Sequence, residues 1–200
     1  MSKTRTVGIL IFDEVEVLDF CGPFEVFSVA AAVGSDEEKL FQVFTVGRTA
    51  QTIRTRGGMS VTPHVGMADV DALDILLVPG GQGTRPLVHD EAVISWIRVR
   101  ASTAELVLSV CTGALLLGKA GLLDGLAATT HHGALELLQK IAPQTTVRGD
   151  VRYVDNGRVI TSGGIAAGID MSLHVVARLL GNDHAAATAR HMEYPWQAGV

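Results

Sequence analysis

Three short segments of the chain are apolar at nearly every position instead of at alternate ones. They are Val7–Phe12 ("VGILIF"), the "ILLV" within Asp74–Gly81 ("DILLVPGG"), and Leu106–Val110 ("LVLSV"). A strand with one face in water alternates apolar and polar residues. A strand apolar throughout is covered on both faces, as in a parallel sheet between helices. Helical patterns fall between these runs. "GPFEVFSVAAAV" (Gly22–Val33) opens with Pro23, a residue suited to a first turn. "EAVISWIRVRAS" (Glu91–Ser102) follows the second run. "TGALLLGKAGLL" (Thr112–Leu123) follows the third and stops at the turn pair Asp124-Gly125. The last long helix is "IAAGIDMSLHVVARLLG" (Ile165–Gly181), in which Ile165, Ile169, Leu173, Val176 and Leu180 step by three or four and predict one core-facing stripe.

Strand and helix alternate, which predicts an α/β fold with a doubly wound, mostly parallel sheet. Two stretches break the rhythm. "FQVFTVGRTAQTIRTRGGMSVTPHV" (Phe41–Val65) predicts a strand and then a hairpin turning near Gly57-Gly58. "VRYVDNGRVITSGG" (Val151–Gly164) carries Asn156-Gly157, a strong hairpin signal. With no repeat, low-complexity tract or linker, residues 1–200 are expected to form one domain.

Composition narrows the class. A hydrophobic content of 48% with 18% charged residues excludes a disordered chain. The net charge of −5 and the lack of a basic block argue against a nucleic-acid partner. The only two cysteines, Cys21 and Cys111, read as free thiols in a reducing compartment. The N-terminal apolar run is interrupted early by Asp13 and Glu14, unlike a signal peptide, and no apolar stretch reaches membrane-spanning length. The expectation is a soluble, cytoplasmic protein.

The candidate chemistry centres on Cys111, which stands where the third apolar run turns into a helix. In an open α/β sheet ligands sit beyond the carboxyl ends of the strands. A helix start favours negative charge, and such a place can lower a cysteine pKa from about 8.5 to roughly 3.5–7.5. Gly113 lets the turn be tight, the geometry of a nucleophile elbow with sulfur in place of a serine oxygen. A small buried core residue is the plainer reading. "VPGGQG" (Val78–Gly83) ends a neighbouring run in glycines whose N–H groups, with that of Thr112, can face a developing negative charge. The spacing fits neither a Walker loop nor a dinucleotide fingerprint. Asp19, in "VEVLDFCGPFEVF" (Val15–Phe27), is either a capping residue or a carboxyl group that carries a proton near the thiol.

The strings "VLDFCGPFEVF", "LLVPGG", "SVCTGALLLGKAGLLDG", "ATTHH" and "GGIAAGID" occur in this order, and the likeness runs from Val7 to the C-terminal "EYPWQAG". Together they resemble the ThiJ/PfpI superfamily and, within it, the isonitrile (isocyanide) hydratase branch. The resemblance implies a flavodoxin-like fold related to the class I glutamine amidotransferases, usually dimeric, acting on a small molecule without metal or organic cofactor. It implies Cys111 as nucleophile and Asp19 as its acidic partner, where many other branches carry glutamate. It also implies Gly81 and Thr112 as backbone donors, with Gly80 beside them, and Ile165 packed next to the cysteine. The reaction it implies adds water to R–N≡C to give an N-substituted formamide through a thioimidate on Cys111.

Several residues depart from this pattern or compete with it. Thr112 stands where protease-like and many glyoxalase-like branches carry histidine, which counts against peptidase activity. Cys21 is expected as a small core residue; facing the pocket, it would alter substrate choice or redox behaviour. His131, in "ATTHH", is expected to cap a helix or tie a loop at the pocket. His191 and Glu193 are expected on the surface, and no histidine pair has spacing that suits a metal. Rival functions are a related hydrolase or glyoxalase, and a sensor. AraC-type regulators carry a similar domain before a DNA-binding region, and a reactive cysteine suits oxidation sensing as well as catalysis. The acidic charge and the absence of an added helix-turn-helix segment favour a free-standing protein over a DNA-binding one.

Overall fold

The computed structural model of the chain describes residues 3–32 and 35–197, with residues 31–32 and 35–39 described by backbone alone. Val33, at the end of the first predicted helix, and residues 198–199 of the C-terminal motif lie outside the described residues.

The apolar runs form the middle of one seven-stranded sheet. In chain order its strands are β1 (Arg5–Leu10), β2 (Phe41–Gly47), β3 (Val65–Gly66), β4 (Ile75–Val78), β5 (Leu106–Val110), β6 (Tyr153–Asp155) and β7 (Val159–Ser162). They lie side by side in the order β6-β7-β5-β4-β1-β2-β3. All neighbours are parallel except the edge pair β6–β7. Every residue of β4, β5 and β7 is buried, the polar Ser109, Thr161 and Ser162 included, so both faces of these strands are covered.

The helices are α1 (Val17–Val29), α2 (Thr84–Leu87), α3 (Glu91–Thr103), α4 (Gly113–Lys119), α5 (Leu135–Ile141), α6 (Ala167–Leu180) and α7 (Asn182–His191). Helices α1, α6 and α7 pack on one another, and α4 packs on α3 and α5, so two groups sandwich the sheet. The Asp90 carboxylate starts α3 by accepting the N–H groups of Ala92 and Val93 at 3.1 and 3.3 Å. Both predicted hairpins are present: Ile53–Arg54 pairs with Ser60–Val61, and β6 with β7 across Asn156-Gly157.

Two expectations are corrected. Helix α1 begins at Val17, so Pro23 lies inside it instead of opening it. With no N–H, Pro23 gives the Asp19 carbonyl no helical partner. The expected stripe of α6 is shifted. Leu173 and Val176 are fully buried, Ile169 and Leu180 partly so, but Ile165 precedes the helix and is 39% exposed. Small residues Ala167, Gly168 and Ser172 take the buried face instead, which lets α6 lie close to Val110 of β5.

Register decides where the chemistry gathers. Ile9 is level with Leu77, Val78 with Ser109, and Val110 with Ser162. The segments leaving β1, β4, β5 and β7 therefore emerge at one end of the sheet. There Gly113 must pass under the end of β4, and a Cβ on it would lie 2.0 Å from the Val78 carbonyl oxygen. Gly113→Ala is expected to cost ~3 kcal/mol or more by forcing β4 and α4 apart. Gly57→Ala, with nothing within 4 Å of the new carbon, is expected to stay within about 0.5 kcal/mol. Urea denaturation of the two variants checks the contrast.

Candidate active site

Cys111 is the joint between β5 and α4, and its φ is +55°. A left-handed backbone at a residue with a Cβ costs on the order of 1–3 kcal/mol, so neighbours must hold it. They do so at both ends of the residue. The Cys111 N–H donates to the Ser162 and Gly163 carbonyls, each at 3.1 Å, and the Cys111 carbonyl accepts the Thr130 hydroxyl at 2.7 Å. The turn swings the side chain out of the strand direction, yet the residue stays 6% exposed.

Asp19 reaches the same point from the first turn of α1 and is fully buried. It caps nothing. Its Oδ2 accepts the Gly80 N–H at 3.0 Å. Its Oδ1 closes no hydrogen bond of good geometry, although the Cys111 thiol and the Ile165 N–H lie near enough to favour its charged form. Gly80 has to be a glycine here. A Cβ would stand 2.5 Å from the Thr112 nitrogen and 2.8 Å from Asp19 Oδ2, wedging the two groups apart.

Burial sets the protonation of the pair. It pushes the Asp19 carboxyl up to about 7, against the lowering effects of Cys111 and the Gly80 N–H. It pushes the Cys111 thiol up to about 12, with the negative charge of Asp19 as the next cause. The Thr112 N–H and hydroxyl oppose this only in part. The sequence expectation of a lowered thiol pKa thus meets a contrary environment: α4 has only seven residues, while burial and a facing carboxylate act directly on the sulfur. Two negative charges are disfavoured in this space, so a thiolate is stable only when Asp19 holds the proton.

Cys111 opens on a cavity of about 190 Å³. Thr112, Gly81, Ile165 and His131 line it, together with Glu16, Arg56, Gln82, Arg85 and Gly133. Ile165 has φ +57° and stands beside the thiol. Gly80 lies behind Asp19 and outside the lining. Cys21 does not line the cavity. Two residues along a helix from Asp19 it points to the other side of α1, where it is partly buried against the core. The Gly81 N–H, expected as a donor to the reacting group, is taken by the Thr112 hydroxyl at 3.0 Å. The Thr112 N–H is left as the donor beside the sulfur.

His131 caps the following helical turn by accepting the Gly133 N–H at Nδ1, 3.1 Å away. Partial burial, then His132, Arg85 and Arg56, push its pKa down, so the ring is neutral at physiological pH. His191 and Glu193 are exposed. Among the described residues, no group of three or more His, Cys, Asp or Glu side chains is arranged to hold a metal ion. A separate, more apolar cavity of about 240 Å³ lies among Leu10, Phe12, Ile53, Met67 and Leu87. It shares no lining residue with the Cys111 cavity and has no cysteine, serine or threonine in its lining.

Sequence reasoning missed Thr130, whose hydroxyl locks the elbow, although it lies within the quoted "ATTHH". It also missed Arg85, four residues beyond Gly81. Its position just past a strand end was the available signal.

A cysteine on a left-handed strand-to-helix turn, faced by a buried carboxyl group on a flavodoxin-like parallel sheet, defines a class of protein, and the chain matches it in sequence. It belongs to the DJ-1/PfpI family, matched over residues 5–178. It is 37% identical to an isonitrile hydratase of Pseudomonas putida, over 94% of this chain and 78% of the hydratase. It is 27% identical to the HTH-type transcriptional regulator GbdR of Pseudomonas aeruginosa, over 95% of this chain but only 51% of the regulator. The crystal structure of a ThiJ/PfpI family protein from Pseudomonas syringae superposes with a TM-score of 0.86 at 26% identity, covering 100% of this chain and 80% of that one.

The raised Asp19 carboxyl has a signed consequence. Its folded pKa, about 7, lies above its ordinary value of 3.8, so its protonated form suits the native state. The stability it contributes is complete below about pH 4 and is lost as pH rises toward about 7. Asp19→Asn is expected to flatten that decline in urea midpoints. It is also expected to speed alkylation of Cys111 by iodoacetamide at about pH 8, because the charge that disfavours the thiolate is gone. Unchanged or slower alkylation would show that Asp19 does not hold the proton on the sulfur.

Proposed function

We propose that this chain is a cysteine-dependent isonitrile hydratase. The carrying observation is the strained Cys111 elbow with the buried Asp19 carboxyl facing it. The likeness to the Pseudomonas putida hydratase supports the choice of reaction.

The chemistry divides one addition into two. The Cys111 sulfur attacks the terminal carbon of R–N≡C. A C–S bond forms, and the same carbon takes a proton delivered through Asp19, giving the thioimidate R–N=CH–S. Water then adds to that carbon while a proton goes to nitrogen. Collapse of R–NH–CH(OH)–S breaks the C–S bond, releases R–NH–CHO and returns a proton to the pair. The Asp19 carboxyl, lifted to about 7, is suited to both giving and taking a proton near neutrality. The Thr112 N–H stabilises negative charge on the sulfur before attack and after release. In this reading the protein works as a cytoplasmic homodimer on a small molecule, without metal, nucleic acid or membrane.

The likeness to the transcriptional regulators favours a second reading, a ligand or oxidation sensor; a glyoxalase-like or hydrolytic activity at Cys111 is a third. Turnover of simple aryl and alkyl isonitriles to formamides separates them. The wild type is expected to be active, Cys111→Ser inactive, and Asp19→Ala slower by about 10²–10⁴-fold in kcat. A folded wild type that labels at Cys111 but forms no formamide would sink the hydratase reading. Tests of 2-oxoaldehydes and of Cys111 oxidation would then separate the others.

A further inference from the structure

We infer that the Cys111 cavity recognises a ligand carrying a carboxylate a few atoms from the group that meets the sulfur, and that Arg85 holds this carboxylate. As a statement about substrate, this rests on the hydratase reading above and deepens it.

Arg85 lines the Cys111 cavity. It is partly buried, yet among the described residues no carboxylate lies within ion-pair distance of it. The other guanidinium at the mouth, Arg56, is already neutralised by Glu16 at 3.1 Å. Arg85 Nη1 is fixed by the Gly81 carbonyl at 2.8 Å, the Thr84 hydroxyl at 3.3 Å and the Thr112 hydroxyl at 3.4 Å. Among the described residues its Nε and Nη2 have no protein acceptor. A guanidinium anchored through one nitrogen leaves a planar edge of donors, the shape that pairs with a carboxylate.

Position ties this edge to the nucleophile. The Thr112 hydroxyl, which Arg85 touches, belongs to the residue after Cys111, and both residues line the same cavity as Arg85. An anion on Arg85 therefore leaves room for only a short spacer before the sulfur. Facing groups do not cancel the charge. Glu16 is engaged by Arg56, and His131 is neutral, partly because Arg85 and Arg56 oppose its protonation. The cavity walls are as polar as they are apolar in kind, with Gln82, His131 and Glu16 among them. The apolar surface that would welcome a bulky hydrocarbon R group lies in the separate cavity at Phe12 and Leu87. The ligand class that fits is a small α- or β-substituted carboxylate. For the proposed reaction it is an isocyano carboxylate, hydrated to an N-formyl amino acid.

Two measurements test this, one of which does not require turnover. The first compares kcat/KM for isocyanoacetate with that for its methyl ester, which differ by one negative charge. The second compares alkylation of Cys111 by iodoacetate and by iodoacetamide, read by peptide mass spectrometry so that Cys21 is resolved. In both alkylations the sulfur displaces iodide and forms one C–S bond. Their rate ratio cancels the thiolate fraction and is normalised to N-acetylcysteine.

The expected result is a preference of roughly tenfold for the anionic partner in both assays, the factor one charge-assisted hydrogen bond supplies. It should fall in Arg85→Met, be partly retained in Arg85→Lys and weaken with salt in the wild type. The salt series needs no variant, so it decides even where Arg85→Met fails to fold. Equal or better turnover of the ester, with an alkylation ratio at the free-thiol value, would overturn carboxylate recognition and leave the hydratase reading standing. Neither isonitrile turned over, with a raised, salt-sensitive and Arg85-dependent alkylation ratio, would sink the hydratase reading and uphold carboxylate recognition.

Discussion

The left-handed turn at Cys111 is the constraint on which the rest of the site depends. A cysteine does not adopt φ +55° by itself, so distant parts of the chain must keep it there. The end of β7 takes its N–H, Thr130 takes its carbonyl, and Gly113 clears the end of β4 so that α4 can start at once. Relaxing the turn would rotate the sulfur away from Asp19 and from the mouth that Arg85 guards. The close-packed parallel strands thus act as a rigid frame whose level ends fix one uncomfortable residue.

Much of this frame was legible in the sequence, because parallel strands buried on both faces leave unbroken apolar runs. Val7–Phe12, Asp74–Gly81 and Leu106–Val110 located three central strands, and Asn156-Gly157 located the edge hairpin. Boundaries were less legible where a residue's usual role was overridden. Pro23 usually opens a helix, but here packing carries α1 six residues further back, and that extension is what buries Asp19. Ile165 looks like the start of an apolar stripe, yet it is held left-handed at the site instead.

Of the site itself, position along the chain pointed to Cys111 and Asp19 but not to the proton balance between them. The thiol's surroundings depend on burial and on a carboxyl group 92 residues away in sequence, which no local pattern encodes. The same holds for Gly81. Its N–H reads as a free donor until the Thr112 hydroxyl is seen to occupy it. Arg85 was illegible for a related reason. A lone arginine in the short helix α2 has little local signature, and its meaning comes from the lack, among the described residues, of a carboxylate around it once the chain is folded.

The buried, proton-retaining thiol carries a consequence for the life of the protein outside its reaction. An ordinary cysteine in an unfolded chain ionises near 8.5 and is open to any oxidant, whereas the native fold keeps Cys111 protonated and covered. The Asp19 contact spans β1, β4 and β5, so it forms only once those strands have docked. Until then the sulfur is in its more vulnerable form. Oxidation of Cys111 is therefore expected to run faster on nascent and misfolded chains than on assembled ones.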